Sequence, residues 1–346
     1  MRQIMVLLGM LTISTTYAFE AFVHPQSESM MEAITPDLLK ESFYIETWNF
    51  ISKLDQGYLL NGRIILKRLG DPSAEATLIT PEGEVIYATE EYPWEKVSLE
   101  KNNPAFSVGP HRWSGNTQRQ KVEIAFPQFS AKLTFHNIAP GWTYRDGTVP
   151  FSDKKFIRFY MHNPLAQVEG TLSFQGKEIQ VTGIGYGDHS VQNAAPNFAD
   201  QWYNFHMIQP GFSAHAIIFQ PRKKESPQVG MMVLFEKDKL LLETSEINVT
   251  HSEIQEDPLS KRHFPLKWTY KGSEGPKTLK VDFQTGKLLI RIDPAGRVPA
   301  IAKPILEWLN LRPVLYEFSN QYQIELPDGR LFQGEGLHEW IQMKGD

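Results

Sequence analysis

Residues 168–190 read VEGTLSFQGKEIQVTGIGYGDHS. Val168, Gly170, Leu172 and Phe174 alternate with Glu169, Thr171 and Ser173, the period-two pattern of a strand with one buried face. Gln175-Gly176-Lys177 has turn chemistry, and Glu178 to Ile184 alternates again. The stretch therefore predicts a β-hairpin. It runs into Gly183-Ile184-Gly185-Tyr186-Gly187-Asp188-His189-Ser190, where the spaced glycines permit a sharp turn or a close approach of backbones. No periodic helix follows, so the glycines lack the strand-into-helix setting of a dinucleotide site.

The same pattern recurs in both directions. Tyr44 to Phe50 and Tyr58 to Leu66 alternate about the turn Asp55-Gln56-Gly57. Lys121 to Phe126, Ala131 to Phe135 and Phe156 to Met161 do so further on. Later come Trp202 to Met207, Ala214 to Phe219, Met231 to Glu236 and a last hairpin about Pro327-Asp328-Gly329. Only residues 300–309 look helical. Many short strands separated by Gly, Pro and Asp turns predict an all-β protein of barrels or sandwiches. Each half of the 346 residues holds enough strands for one small barrel, about eight. The boundary is placed at Asn163-Pro164, giving barrels over 19–164 and 165–346, with no sequence repeat between them.

Residues 1–18 read as a leader: Arg2, an apolar run from Ile4 to Ile13, then Thr16-Tyr17-Ala18 with small residues at the peptidase positions. Cleavage after Ala18 and a secreted or periplasmic destination are expected. The apolar run is shorter than the roughly 20 residues of a membrane helix. The chain has no Cys, which excludes disulfides, thiolate nucleophiles and Cys-ligated metals. A net charge of −5 with no basic stripe argues against nucleic acid. Serine nucleophile elbows, P-loops and EF-hands are absent. Aromatic residues make up 12%, which suits either an ordinary β core or the lining of an apolar ligand cavity.

Three clusters could carry chemistry. Asp188 beside His189 is a candidate acid/base pair, or a structural tie through backbone hydrogen bonds. In Gln201-Trp202-Tyr203-Asn204-Phe205-His206, alternation puts Trp202, Asn204 and His206 on one face, as on a ligand-lining strand or an ordinary core strand. In Gly334-Glu335-Gly336-Leu337-His338-Glu339, His338 and Glu339 face opposite sides and cannot chelate one metal together. His206 and His215 flank Pro210-Gly211 and could oppose one another on a hairpin; with His136 they are the weak metal candidates, and no metal or cofactor is predicted.

On Gly183 to His189, Trp202-Tyr203, Gly334 to Glu339 and Glu46-Thr47-Trp48-Asn49-Phe50, the chain resembles the AttH/carotenoid-hydratase/Svf1 group of paired lipocalin-like proteins. Those motifs are short but span most of the chain. The group commonly follows Asp-His with Asn or Gln, then Trp and Gly; here Ser190-Val191-Gln192 stand instead. The resemblance implies two lipocalin-like barrels packed together with an apolar cavity. Its members include hydratases acting on isoprenoid double bonds, polyene cyclases and lipid binders. The first expectation is a carrier of a lipid, isoprenoid or polyene, with ligand contacts from Tyr186, Trp202, Asn204, His206, Trp48, Glu46 and Glu339 and possible peripheral membrane contact. The second is a cofactor-free hydratase or cyclase in which Asp188, with His189, supplies the acid and Tyr186 and Trp202 face the cation. The third is a structural envelope protein.

Overall fold

The computed structural model describes residues 43–100, 105–152, 155–193, 199–222, 228–293 and 313–343. The expected leader, the lead-in segment 19–42 and the helix expected at 300–309 lie outside them.

Twelve strands form the first sheet: β1 (Ile45–Leu54), β2 (Leu59–Lys67), β3 (Ser73–Ile79), β4 (Val85–Glu91), β5 (Val97–Glu100), β6 (Ala105–Val108), β7 (His111–Gly115), β8 (Arg119–Ala125), β9 (Phe129–Asn137), β10 (Trp142–Ser152), β11 (Lys155–Phe174) and β12 (Lys177–Gln192). Nine form the second: β13 (Ala199–Gln209), β14 (Phe212–Pro221), β15 (Val229–Glu236), β16 (Lys239–Thr244), β17 (Glu246–Glu256), β18 (His263–Glu274), β19 (Lys277–Ile292), β20 (Val314–Glu325) and β21 (Leu331–Gln342). Every pairing is antiparallel. The only helical piece among the described residues is the 3-10 turn Trp94–Lys96. The fold is all-β, as expected.

Both sheets follow one plan. The first runs β4-β3-β2-β1-β12-β11-β9-β8-β7-β6-β5, with β10 also on β11; the second runs β16-β15-β14-β13-β21-β20-β19-β18-β17. In each, a four-strand meander and a longer one are joined by pairing the first strand with the last, β1 with β12 and β13 with β21. The strands left at the edges are consecutive in sequence, β4 with β5 and β16 with β17. Each sheet thus curls into a lipocalin-like half-barrel.

The hairpin that opened the sequence reading forms between β11 and β12. Gln175 and Gly176 have φ of 51° and 73°, the left-handed pair of a type I′ turn, and Lys177 already pairs with Phe174. The boundary expected at 164–165 falls inside β11. The chain passes from one sheet to the other between Gln192 and Ala199. Asn163-Pro164 is instead an irregularity within the strand: the β11–β12 register shifts on both sides of Asn163.

Alternation along the strands builds three buried clusters. Trp48, Phe50, Trp113 and Phe135 fill the concave side of the first sheet. Tyr203, Phe205, Trp268 and Trp340 fill that of the second. The third cluster lies between the sheets, where Ile51, Phe159 and Tyr186 meet Ile217, Phe219 and Leu337. Strands at this junction are covered on both faces, and β14 is buried from Phe212 to Phe219. Burying so much apolar surface on both sides is the main force holding the two sheets together.

Candidate functional site

A cavity of about 460 Å³ opens between the two sheets. Its walls come from β1 to β4, β11 and β12 of the first sheet, and from β13, β14 and β19 to β21 of the second. One part is apolar, with Ile51, Phe159, Ile217, Phe219, Leu337 and Ile341. The other is polar and charged, and it is built by cross-strand neighbours.

Asn49 on β1 stands opposite Asp188 on β12, and its amide donates to Asp188 Oδ1 at 2.7 Å. Asn204 on β13 stands opposite Glu339 on β21 and donates to Glu339 Oε2 at 2.8 Å. Asn61 on β2 crosses the gap to Glu317 Oε1 on β20, also at 2.8 Å. Arg63, on the same face of β2, bonds Glu75 Oε2 at 2.9 Å and reaches Glu339 Oε1 at 3.2 Å. Two hydrogen-bonded contacts thus tie the sheets together across the polar end.

Burial pushes the Asp188 carboxyl up to about 7; the Asn49 amide, Tyr186 and His189 oppose the rise and the charge of Glu339 adds to it. Burial likewise pushes Glu317 up to about 7, reinforced by Glu339 and opposed by Asn61 and Arg63. Near neutral pH each is therefore part protonated and can donate as well as accept a hydrogen bond. The Tyr186 hydroxyl neighbours Asp188 without a well-formed hydrogen bond, and burial followed by that carboxyl's charge raises it well above 10.

Behind Tyr186 lie two histidines. His206 and His215 face each other across the β13–β14 hairpin with their Nδ1 atoms 3.2 Å apart, and the Tyr186 ring packs on both at 4.3 Å. Burial drives His215 down to about 3 and His206 well below its usual range. His215 Nε2 is 2.7 Å from the Pro164 carbonyl, so the N–H sits there and its Nδ1 accepts from His206. His206 Nε2 is left as an acceptor on a ring that lines the cavity. The third metal candidate, His136, lies apart, 3.0 Å from Glu169 on the surface. Among the described residues no three His, Asp or Glu side chains gather as a metal site.

The structure brings together six of the residues singled out in the sequence: Tyr186, Asp188, Trp202, Asn204, His206 and Glu339. The other three face the interior of the first sheet. His189 Nε2 is 2.8 Å from Glu46 Oε1, Trp48 Nε1 donates to that oxygen at 2.9 Å, and the Trp48 ring stacks on His189 at 4.0 Å. Asp188 and His189, adjacent on β12, therefore point to opposite faces and do not form a pair. The glycines before them admit this packing. A Cβ on Gly183 would lie 2.2 Å from the Lys53 carbonyl, and one on Gly187 would lie 2.6 Å from His162 Nε2.

Arg63, Glu75 and Glu317 escaped the sequence reading, as did Asn49 and Asn61. Asn61, Arg63 and Lys67 share one face of the mostly apolar LLNGRIILK, which was a legible signal. Glu317 carried none, because only the packing of the second sheet against the first brings it to the site.

A family model described as the Svf1 family matches residues 86–338. The chain belongs to the Svf1 family. It is 29% identical over 207 residues to the ceramide-binding protein svf1 of Emericella nidulans, covering 56% of this chain and 54% of that protein. It is 27% identical over 317 residues to the ceramide-binding protein svf1 of Schizosaccharomyces pombe, covering 83% and 82%. The chain thus spans about half the length of the first relative and about four-fifths of the second. Among solved structures, an AttH protein of Nitrosomonas europaea superposes with a TM-score of 0.65 at 14% identity, covering 92% of this chain and 99% of that one. Kievitone hydratase of Nectria haematococca does so at 0.62 and 14%, covering 94% and 98%. These two similarities establish the paired lipocalin-like fold of this Svf1-family chain.

Proposed function

We propose that this protein binds an amphiphilic lipid in the cavity between its sheets, with the acyl or isoprenoid part along Ile51, Phe159, Ile217 and Phe219 and the head at Asp188, Glu317 and Glu339. The observation that carries the reading is the division of one cavity into an apolar wall and a hydrogen-bonding end. The half-barrel interiors are packed with large aromatic side chains, and the pocket of about 760 Å³ in the second sheet beside Trp268, Phe283 and Tyr322 has a largely polar wall, with Lys267, Asp282, Gln321 and Gln323, and no apolar wall like that between the sheets. The names of the two fungal relatives point to ceramide, whose amide and hydroxyl groups are uncharged donors and acceptors that suit asparagines and part-protonated carboxyls.

Ile217→Trp tests this, since the larger ring projects into the cavity from β14. Binding of a fluorescent ceramide should fall at least about tenfold, the loss of roughly 1.4 kcal/mol, while circular dichroism stays that of the parent. Undiminished binding would place the lipid elsewhere.

A second reading draws on one observation. Asp188 is part protonated near neutral pH in the same cavity as the Tyr186 and Trp202 rings. A protonated carboxyl against an apolar wall is what an acid acting on an isoprenoid or polyene double bond needs.

A further inference from the structure

Among the described residues, the polar end of the cavity is rich in carboxyl groups and has no cation to spare. Glu75 and Asp188 come from the first sheet, Glu317 and Glu339 from the second. The Arg63 guanidinium is held by Glu75 and Glu339, and Lys67 at the rim is 3.1 Å from Glu91. The remaining polar groups that face this end are uncharged near neutral pH. Among them are Asn49 on β1, Asn61 on β2, Tyr87 on β4, Tyr186 on β12, and Asn204 and His206 on β13.

We propose that this end receives the ammonium group of a long-chain amine, set among Asp188, Glu317 and Glu339, with its chain on the apolar wall. The inference rests on the cavity being the lipid site. With Asp188 and Glu317 protonated, Glu75 and Glu339 still outnumber Arg63, so the end is already negative. An anionic head, a fatty-acid carboxylate or a phosphate, finds no unpaired cation among the described residues and would bring a further negative charge into a poorly hydrated site. An ammonium brings three donors and a positive charge to a place where Asp188 and Glu317 each have one oxygen engaged by an asparagine, beside Glu339, which Asn204 and Arg63 hold by its two oxygens. It also favours the ionised form of Asp188 and Glu317, so binding drives their protons into solvent. A neutral amide head makes hydrogen bonds there but releases no such protons.

A matched set of probes with one alkyl chain tests the idea: dodecylamine, N-dodecylacetamide and dodecanoate, each below its critical micelle concentration. Isothermal titration of the full chain in buffers of different ionisation enthalpy reads affinity and proton release together. The amine should bind on the order of 10–100-fold more tightly at about pH 8 than at about pH 6, the factor for one or two carboxyls that titrate near neutrality. Near pH 7 it should release about one proton. The acetamide should show no such rise, and dodecanoate should bind far more weakly than either. Replacing both acids, Asp188→Asn with Glu317→Gln, should lower the ratio of amine to acetamide affinity at least about tenfold, the worth of one lost charge contact. An amine that binds no tighter at the higher pH, releases no proton, or is matched by dodecanoate overturns the proposal. If the acetamide still binds and Ile217→Trp still weakens it, the cavity reading survives that failure. If neither amine nor acetamide competes with ceramide, the cavity reading falls with it.

Discussion

Asp188→Asn should make the protein more stable at alkaline pH and leave it nearly unchanged in acid. The folded protein holds the Asp188 carboxyl at about 7 against 3.8 for an ordinary aspartate. Between those values the native state keeps a proton that the unfolded chain releases. The stabilisation this represents is complete below about pH 4 and is lost as pH rises through about 7, after which it is flat. A displacement of about three units at roughly 1.36 kcal/mol each sets the loss near 4 kcal/mol. Hydration of the charged carboxylate from the cavity reduces it, so about 2–4 kcal/mol is expected. Asparagine carries no charge at any pH and keeps an oxygen to accept from Asn49. The variant should therefore unfold at a higher urea midpoint than the parent at about pH 8 and at the same midpoint near pH 4, because the difference between the two proteins cancels every other titration. Glu317→Gln should act in the same direction, since Glu317 also rises to about 7. A variant weaker than the parent by a constant amount across the whole range would refute the reasoning. It would mean that Asp188 is ionised in the native state and is valued for the hydrogen bonds it accepts.

Glu46→Gln should cost about 1–3 kcal/mol by urea denaturation, because it gives the buried groups of Tyr44, Trp48 and His189 a partner that is half donor; ceramide affinity of the folded variant should match the parent, and lost binding at full stability would return Glu46 to the ligand site. If Asp188 acts as an acid on double bonds, incubation with an acyclic polyene in deuterated water should place one deuterium on carbon in the product, at a rate that falls about 10²–10⁴-fold in Asp188→Asn. Mass spectra without incorporation would leave the protein a binder alone.

Much of the architecture was legible in the strands themselves. In β1 the large residues Trp48 and Phe50 alternate with Thr47 and Asn49, and the structure puts the first pair inside the half-barrel and the second on its outer face. The split of Trp202, Asn204 and His206 from Tyr203 and Phe205 was equally visible, because a side-chain period of two depends only on local backbone geometry. The glycines at 183, 185 and 187 announced a close approach, and carbonyls and side chains do crowd the space a Cβ would need.

Alternation says that two faces differ; it does not say what each will meet. Asp188 and His189 are equally buried, and nothing local distinguishes the face of β12 that closes a half-barrel from the one that meets a second sheet. That distinction comes from β1 pairing with β12 and β13 with β21, contacts well over one hundred residues apart in the chain. The sequence by itself determined an all-β chain of two barrel-like units and the residues that share each strand face. Only the tertiary structure decided where the chain changes sheets, that the cavity lies between them, and that Arg63 and Glu317 belong to it. The physical reason is that strand faces follow from the local backbone, whereas a site between two sheets exists only once their apolar outer faces are buried against each other.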